Sequence, residues 1–175
     1  MLDISPNIDL FQLPITQDAS ASAYQIMAYF LLDYEIAKKT NLIPSYSYKN
    51  ISDIYIFFLE ELKVYFRTEY DDNGYNIIYP RLTRKLVKKL FMPLIYGKTI
   101  KSMGDDIYQH FESLLSYKES MVLASHISNF FIQRFPGICN LMELIRCVSW
   151  LTSTMGKPII YETPLLITTQ DYMKT

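Results

Sequence analysis

Apolar residues recur at helical spacing through most of this chain. Tyr24, Met27, Leu31 and Tyr34 follow one another at intervals of three or four residues, and this spacing places them on one face of an α-helix. Only five of the 175 residues are glycine, which leaves little room for glycine-rich loops. We therefore predict an α+β fold that is mainly helical. The predicted helices cover residues 20–39, 50–69, 82–96, 105–118, 120–135 and 138–151.

Three stretches between or beside these helices are predicted to be extended. Residues 8–16 mix apolar residues with a proline, and residues 75–80 end at Pro80, so each is predicted to be a short strand or extended segment. Residues 149–167 alternate around Gly156, which predicts a β-hairpin or a pair of extended segments. Asn50 is the expected N-cap of the second helix.

Composition indicates one globular domain. Half of the residues are hydrophobic and the formal net charge is -1, so a chain of this length can bury a sizeable core. Cys139 and Cys147 lie eight positions apart on a predicted helix, too far apart to form a disulfide bond, and are expected to be reduced. No apolar run reaches the roughly 20 residues of a membrane span. We expect a soluble protein with no membrane partner.

The most concentrated charge lies in residues 81–104, which hold seven of the seventeen Lys and Arg residues and no acid. Arg84, Lys88, Met92 and Tyr96 follow one another at intervals of four and share one helical face. Guanidinium and ammonium groups bind phosphate, so this face predicts contact with a polyanion. The ordinary alternative is a solvated basic face followed by core residues.

Pro93 interrupts the predicted basic helix. A proline inside a helix removes one hydrogen bond and clashes with the preceding turn, which costs about 3 kcal/mol unless a kink absorbs it. We predict a bend over residues 89–92.

Two segments have residue orders that are specific when both occur in one chain. In the first, Asp18 is followed by the small residues 19–23, by Gln25 and by Asp33. In the signature, the corresponding Asp closes a helix. In the second, residues 84–97 have the spacing Arg-x3-Lys-Lys-x2-Met-x3-Tyr-Gly. Together they resemble two signatures of the bacteriophage-type single-subunit DNA-directed RNA polymerases, a family that also serves mitochondria and their linear plasmids. Residues 150–161 resemble, more weakly, the family's Trp-Thr-Thr-Pro-x-Gly-x-Pro-Val stretch.

The resemblance implies a fragment of the palm and fingers of a right-hand polymerase fold. Residues 1–40 would form part of the palm with the first catalytic motif. Residues 41–151 would form a fingers-like helical region that contains the nucleotide-binding helix 82–97. Residues 152–175 would form a β-hairpin that returns toward the palm.

The resemblance also implies nucleotidyl transfer by two Mg²⁺ ions. Carboxylates and backbone carbonyls suit so hard a cation, and the implied ligands are the carboxylate of Asp18, as the catalytic metal bridge, and the carbonyl of Ala19. The ordinary alternative for Asp18 or Ser20 is an N-cap of the first helix.

The second signature implies the nucleotide contacts. Arg84 and Lys88 would hold the triphosphate with Lys89 close by, and Lys88 would be catalytic as the proton donor to pyrophosphate. Tyr96 would lie beside the sugar and the template base, and Gly97 would let the backbone pass close to nucleic acid. The implied partners are a DNA template, nascent RNA and ribonucleoside triphosphates.

Family A DNA polymerases are the nearest enzymatic alternative because they share Arg-x3-Lys and the later Tyr-Gly. That family places a Glu, which blocks the ribose 2′-hydroxyl, where this chain has Ala23, and usually an aromatic residue where it has Met92. We therefore predict ribonucleotides as substrates. Other departures from the RNA polymerase pattern are Ala23 for the usual Gly, Tyr24 for an aliphatic residue and Pro93 for Thr.

The family's second catalytic carboxylate lies in a His-Asp-Ser hairpin that this chain does not match. His110 precedes Phe111, and His126 precedes Ile127. We expect a fragment that ends before the hairpin and is inactive alone, because a lone carboxylate leaves the two-metal site incomplete. The non-enzymatic alternative is a remnant or a helical nucleic-acid-binding module.

Frequent Ile, Lys, Asn, Tyr and Phe residues are typical of an AT-rich genome, and the N-terminus lacks the pattern of a signal peptide. Both features are compatible with a reading frame encoded inside an organelle, so we expect a mitochondrial location.

Overall fold

A computed structural model describes residues 21–44, 51–70, 72–112, 114–162 and 164–171. The predicted α+β, mainly helical fold is confirmed. In this part of the chain the α-helices are α1 (Ser22–Leu31), α2 (Tyr34–Lys39), α3 (Ile54–Glu69), α4 (Asp72–Ile78), α5 (Arg84–Phe91), α6 (Ile100–Phe111), α7 (Tyr117–Arg134) and α8 (Pro136–Thr154). The described residues also form two 3-10 turns, Tyr79–Arg81 and Leu94–Tyr96. The strands are β1 (Ile159–Glu162) and β2 (Ile167–Gln170). The extended segment predicted over residues 8–16 lies outside the described residues.

The single helix predicted over residues 20–39 is wrong, because the chain forms two. Leu32 adopts a left-handed conformation with φ 52° that ends α1. The Asp33 carboxylate then accepts a hydrogen bond from the backbone N–H of Ile36 at 3.0 Å and caps α2. A side-chain oxygen at this position satisfies a backbone N–H that has no partner within the helix. The N-cap of α1 is Ala21, whereas Asp18 and Ser20 lie outside the described residues.

The second predicted helix is confirmed, with a different start. Asp53 caps α3 by accepting from the backbone N–H groups of Tyr55 and Ile56 at 2.9 and 3.3 Å. The prediction that Asn50 caps this helix is wrong, because the N-cap is Asp53; Asn50 itself lies outside the described residues. One face of α3 is buried, and its buried residues include Ile54, Tyr55, Phe58, Leu62 and Phe66.

The strand predicted over residues 75–80 is wrong, because α4 and a 3-10 turn occupy this stretch. The rings of Tyr75 and Tyr79 lie 4.9 Å apart, an interaction between residues four apart that a helix allows and a strand does not. Ile78 is buried in the core. Pro80 lies in the first turn of the 3-10 segment, where a missing N–H costs little.

Pro93 ends α5 and does not bend it, so the continuous helix predicted over residues 82–96 is also wrong. The Thr83 hydroxyl accepts from the backbone N–H of Leu86 at 3.2 Å and starts the helix. After Phe91 the chain enters a 3-10 turn that closes at Gly97, where φ is 88°. The carbonyl groups in the last turn of a helix lack donors within the helix. One of them, the carbonyl of Phe91, accepts a hydrogen bond from the Tyr24 hydroxyl at 2.7 Å.

Helices α6, α7 and α8 confirm the three helices predicted after residue 104 in type but not in their bounds. Thr99 caps α6, which begins and ends earlier than the predicted 105–118. Ser116 and Glu119 form a reciprocal capping box at the start of α7. Pro136 begins α8, because proline fits the first helical position.

The C-terminal hairpin is confirmed, although its centre was predicted wrongly. Strands β1 and β2 pair antiparallel, with Ile159 opposite Gln170 and Glu162 opposite Ile167. Gly156 follows the end of α8 at a φ of 60° and is not part of the hairpin turn.

Aromatic rings from four helices form the centre of the core. The Phe58 ring lies 5.0 Å from that of Tyr24 and 5.3 Å from that of Phe91. The Phe91 ring lies 5.4 Å from that of Phe131. These contacts join α1, α3, α5 and α7. Among the described helices, none is long and apolar enough to cross a membrane.

Candidate functional site

The first turns of α3 and α5 meet at an ion pair between Asp53 and Arg84. The Nε of Arg84 donates to the Oδ2 of Asp53 at 2.6 Å, and the Nη2 lies 2.6 Å from the same oxygen. The other carboxylate oxygen of Asp53 accepts a hydrogen bond from the backbone N–H of Tyr55 and so caps α3. The side chains of Arg84 and Asp53 are 44% and 28% exposed, so the pair remains accessible to a ligand.

The Tyr55 ring supports two cations of α5. The guanidinium carbon of Arg84 lies 5.8 Å from the ring centroid, and the Nζ of Lys88 lies 5.7 Å from it. Both distances fall within the range of cation–π attraction. Burial raises the pKa of the Tyr55 hydroxyl, the negative charge of Asp53 raises it further, and Arg84 opposes the shift. The predicted pair Arg84 and Lys88 is therefore brought together over one ring.

Lys88 and Lys89 differ in their ionic partners. The Nζ of Lys89 lies 2.9 Å from the Oδ1 of Asp106, and Lys98 pairs with the other oxygen of the same carboxylate. Burial opposes ionisation of Asp106, but hydrogen bonds from Lys98 and Lys89 hold its pKa below the usual value. Within the residues that the structure describes, no carboxylate lies within ion-pair distance of Lys88. Lys88 thus keeps its charge available.

Met92, Tyr96 and Gly97 follow the last residue of α5. Met92 and Tyr96 are 44% and 73% exposed. Gly97 takes a positive φ with nothing within 4 Å of the position a Cβ would occupy, so backbone conformation is the reason for glycine here. The single helical face predicted from Arg84 to Tyr96 is therefore wrong, because Arg84 and Lys88 lie on α5 whereas Tyr96 lies in the 3-10 turn that follows it.

The predicted metal ligands, Asp18 and Ala19, lie outside the described residues. Of the other residues in that signature, Ala23 is half-buried on α1 and the Nε2 of Gln25 donates to the carbonyl of Thr40 at 2.8 Å. The described part of the chain contains no group of three or more His, Cys, Asp or Glu residues that could hold a metal ion. The structure therefore describes where the residues predicted to bind nucleotide lie, and both the nucleotide site and the metal site stay predictions.

Sequence reasoning missed two residues of this site, Asp53 and Tyr55, because it predicted no more for residues 50–69 than a helix. The available signal was local. Asp53 immediately precedes an apolar helical run, which is typical of an N-cap. No local pattern indicated its contact with Arg84, because 31 positions separate the two residues.

Comparison with known proteins gives the class of this chain. The family model described as DNA-dependent RNA polymerase matches residues 5–175. A maize (Zea mays) protein named "Probable DNA-directed RNA polymerase" is 35% identical to the chain over 180 aligned residues, which cover 91% of the chain. The chain belongs to the phage-type single-subunit DNA-dependent RNA polymerase family. It spans 16% of the length of the maize relative.

Proposed function

We propose that this chain forms the first palm motif and the nucleotide-binding fingers of a DNA-dependent RNA polymerase, with α5 binding the triphosphate of the incoming ribonucleotide. One observation carries the proposal: Arg84 and Lys88 lie one turn apart over the Tyr55 ring on an accessible helix face. Charge-assisted hydrogen bonds from such groups are the strong contacts to phosphate.

The donors of this face are sufficient for a triphosphate. A guanidinium has five N–H donors, and two nitrogens of Arg84 are directed at Asp53, which leaves the Nη1 side and one Nη2 hydrogen for phosphate oxygens. Lys88 adds three donors. The first turn of α5 also carries the partial positive charge of a helix N-terminus.

Of the three residues predicted to bind phosphate, Lys89 is the least favoured by the structure. Its charge is compensated by Asp106, so a phosphate would have to compete with that carboxylate. We propose that Lys89 contributes mainly to the local positive field. The proposed role of Lys88 as proton donor to the leaving pyrophosphate follows from its family position and its place on the same face.

Sugar selection is proposed to favour ribose. Ala23 presents only a methyl group, which leaves space for a 2′-hydroxyl if this part of α1 faces the sugar. Met92 and Tyr96 are exposed and follow the C-terminal end of α5, where we propose that the sugar and base follow the phosphates. Family A DNA polymerase remains the alternative, and preference for dNTPs over rNTPs would favour it.

Mg²⁺ is the metal that family membership implies. Bound Mg²⁺ would neutralise phosphate charge and activate the attacking hydroxyl, and the proposed ligands are Asp18 and the carbonyl of Ala19. Neither lies in the described part of the chain, and the residues described there provide no alternative ligand cluster. The proposal for α5 therefore rests on its own side chains.

The test is direct binding of each rNTP in the presence of Mg²⁺, measured by calorimetry at low salt. Loss of one charge-assisted contact is worth about 1.5–3 kcal/mol, so Arg84→Ala and Lys88→Ala should each weaken binding by about tenfold or more. Lys89→Ala should cost at most about threefold because its charge is already compensated. Lys118→Ala, the loss of an exposed lysine on α7, is the matched control and should leave affinity unchanged.

A non-catalytic nucleic-acid-binding module is the second candidate function. It is favoured by the exposure of Arg81, Lys85 and Lys101 on the same basic segment. Binding by phosphate contacts alone would weaken steeply with salt and would not depend on nucleotide identity or Mg²⁺. Equal loss of rNTP and duplex DNA binding in Lys88→Ala would favour this candidate over a nucleotide site.

Two broader parts of the proposal concern activity and location. We propose that the 175-residue chain alone does not extend RNA, because no second catalytic carboxylate is matched in its sequence. Template-directed, processive RNA synthesis by the purified chain would overturn this. We also propose a mitochondrial location. Subcellular fractionation would test it, and detection of the protein outside mitochondria would contradict it.

A further inference from the structure

We propose that Asp53 is a positioning residue for the nucleotide, orienting Arg84 so that its remaining donors face the triphosphate. This inference rests on the proposed function of α5. Asp53 touches neither the nucleotide nor any reacting atom in this proposal, and it acts only through Arg84.

The carboxylate of Asp53 is held from two sides. Its Oδ1 accepts from the backbone N–H groups of Tyr55 and Ile56 at 2.9 and 3.3 Å. Its Oδ2 receives the Nε of Arg84 at 2.6 Å and lies 2.6 Å from the Nη2. Because the cap fixes the first oxygen to α3, the second oxygen is a fixed acceptor and not a mobile surface charge.

The guanidinium of Arg84 is thereby restrained at its edge and on its face. Asp53 holds the edge formed by Nε and Nη2, and the Tyr55 ring lies 5.8 Å below the guanidinium carbon. Asp53 is the N-cap of α3, and Tyr55 lies in its first turn. An arginine that is ordered before the ligand arrives loses less conformational freedom on binding, so the pair should increase affinity for phosphate.

The opposite role for Asp53 is a competitor that occupies Arg84 until a phosphate displaces it. The two roles predict opposite changes in nucleotide affinity when Asp53 loses its charge. A competitor would have to release Arg84, whereas the Asp53 carboxylate is anchored by the cap of α3 and contacts only one side of the guanidinium. This geometry favours orientation over competition.

Asp53→Asn separates the ion pair from the helix cap. Asparagine caps helices about as well as aspartate, so α3 should keep its start, which circular dichroism and a urea unfolding curve would check. Removing a negative charge should by simple Coulomb attraction strengthen anion binding. The orienting role predicts the reverse, a roughly fivefold weaker affinity for rNTP and for inorganic tripolyphosphate.

A double-variant cycle tests whether the effect passes through Arg84. In the Arg84→Ala background, Asp53→Asn should cause no further loss, because the residue that it orients is absent. Glu60→Gln removes a charge from an exposed residue of the same helix and should leave affinity unchanged or slightly increased.

The outcomes distinguish the inference from the proposed function. Unchanged or tighter binding in folded Asp53→Asn, or a further loss in the double variant, would overturn the orienting role while leaving α5 as the nucleotide site. If Arg84→Ala and Lys88→Ala both bind rNTP like the unaltered chain, the proposed function fails and the role of Asp53 fails with it.

Discussion

Neighbouring residues in this sequence differ in environment because their tertiary partners differ. Lys88 lies over the Tyr55 ring without a described carboxylate partner, whereas Lys89, the next residue, is paired with Asp106. The helix turns by about 100° per residue, so consecutive side chains face different neighbours. The same reasoning applies to Tyr24 and Tyr29 on α1, which are 1% and 69% exposed.

Tyr24→Phe should destabilise the fold by about 1–3 kcal/mol, because it leaves the buried carbonyl of Phe91 without its side-chain donor. The hydroxyl donates to that carbonyl at 2.7 Å, and burial raises the pKa of Tyr24 well above its ordinary value. The measurement is the urea midpoint at unchanged m-value. Tyr29→Phe on the same helix is the control and should lie within about 0.5 kcal/mol of the unaltered chain. Equal midpoints for the two variants would show that the Tyr24 bond contributes nothing.

At the scale of elements, α5 is a short helix with supports at both ends. Thr83 caps its start, Asp53 of α3 pairs with its first residue, and Tyr24 of α1 contacts its last carbonyl. The two departures from the family pattern at Tyr24 and Pro93 meet here. Pro93 stops the helix, and the Tyr24 hydroxyl occupies one of the carbonyls exposed by that stop.

The ion pairs of Asp106, which join α6 to α5 and to the turn before α6, should give part of the acid sensitivity of the fold. The folded-state pKa of Asp106 lies below its ordinary value of 3.8. A lowered carboxyl pKa contributes stability that is fully present above the unfolded-state pKa and is lost as pH falls toward the folded-state pKa. The urea concentration at the midpoint of unfolding should therefore decrease as the pH is lowered below about 4.

The matched comparison is Asp106→Asn, which should lower stability at pH 7 and show a smaller further loss between pH 5 and pH 3. Glu60→Gln, on an exposed side chain, should keep the acid dependence of the unaltered chain. An Asp106→Asn variant with unchanged acid dependence would contradict this assignment.

At the scale of the whole molecule, the core is built around the same helices that carry the candidate site. Phe58 of α3 and Phe91 of α5 are fully buried and in ring contact, so the aromatic core sets the distance between the two helices whose first turns hold Asp53 and Arg84. Arg134 of α7 pairs with Glu35 of α2 and with Glu61 of α3, so these ion pairs join α2 to two of the core helices. The assignment of residues 1–40 to a palm and 41–151 to fingers stays a prediction.

Sequence reasoning predicted helices well where apolar periodicity was long and poorly where a single residue decided the outcome. The helices around Phe58, Ile107, Ile127 and Ile138 exist as predicted in type. The break at Leu32 and the helical state of residues 75–80 were missed, because a left-handed residue and an apolar run of a few residues have no distinctive period. Helix ends depended on single capping residues such as Asp53 and Thr99, which the apolar pattern does not reveal.

The sequence by itself determined the helical class, the shared face of Arg84 and Lys88, and the family, because spacing along a helix and the order of motif residues are local properties. Only the tertiary structure decided which cations keep their charge available and what holds them. Asp53 reaches Arg84 across 31 positions, and Tyr24 reaches Phe91 across 67. Such contacts form when the packing of buried rings brings distant turns together, and local residue order does not encode that packing directly.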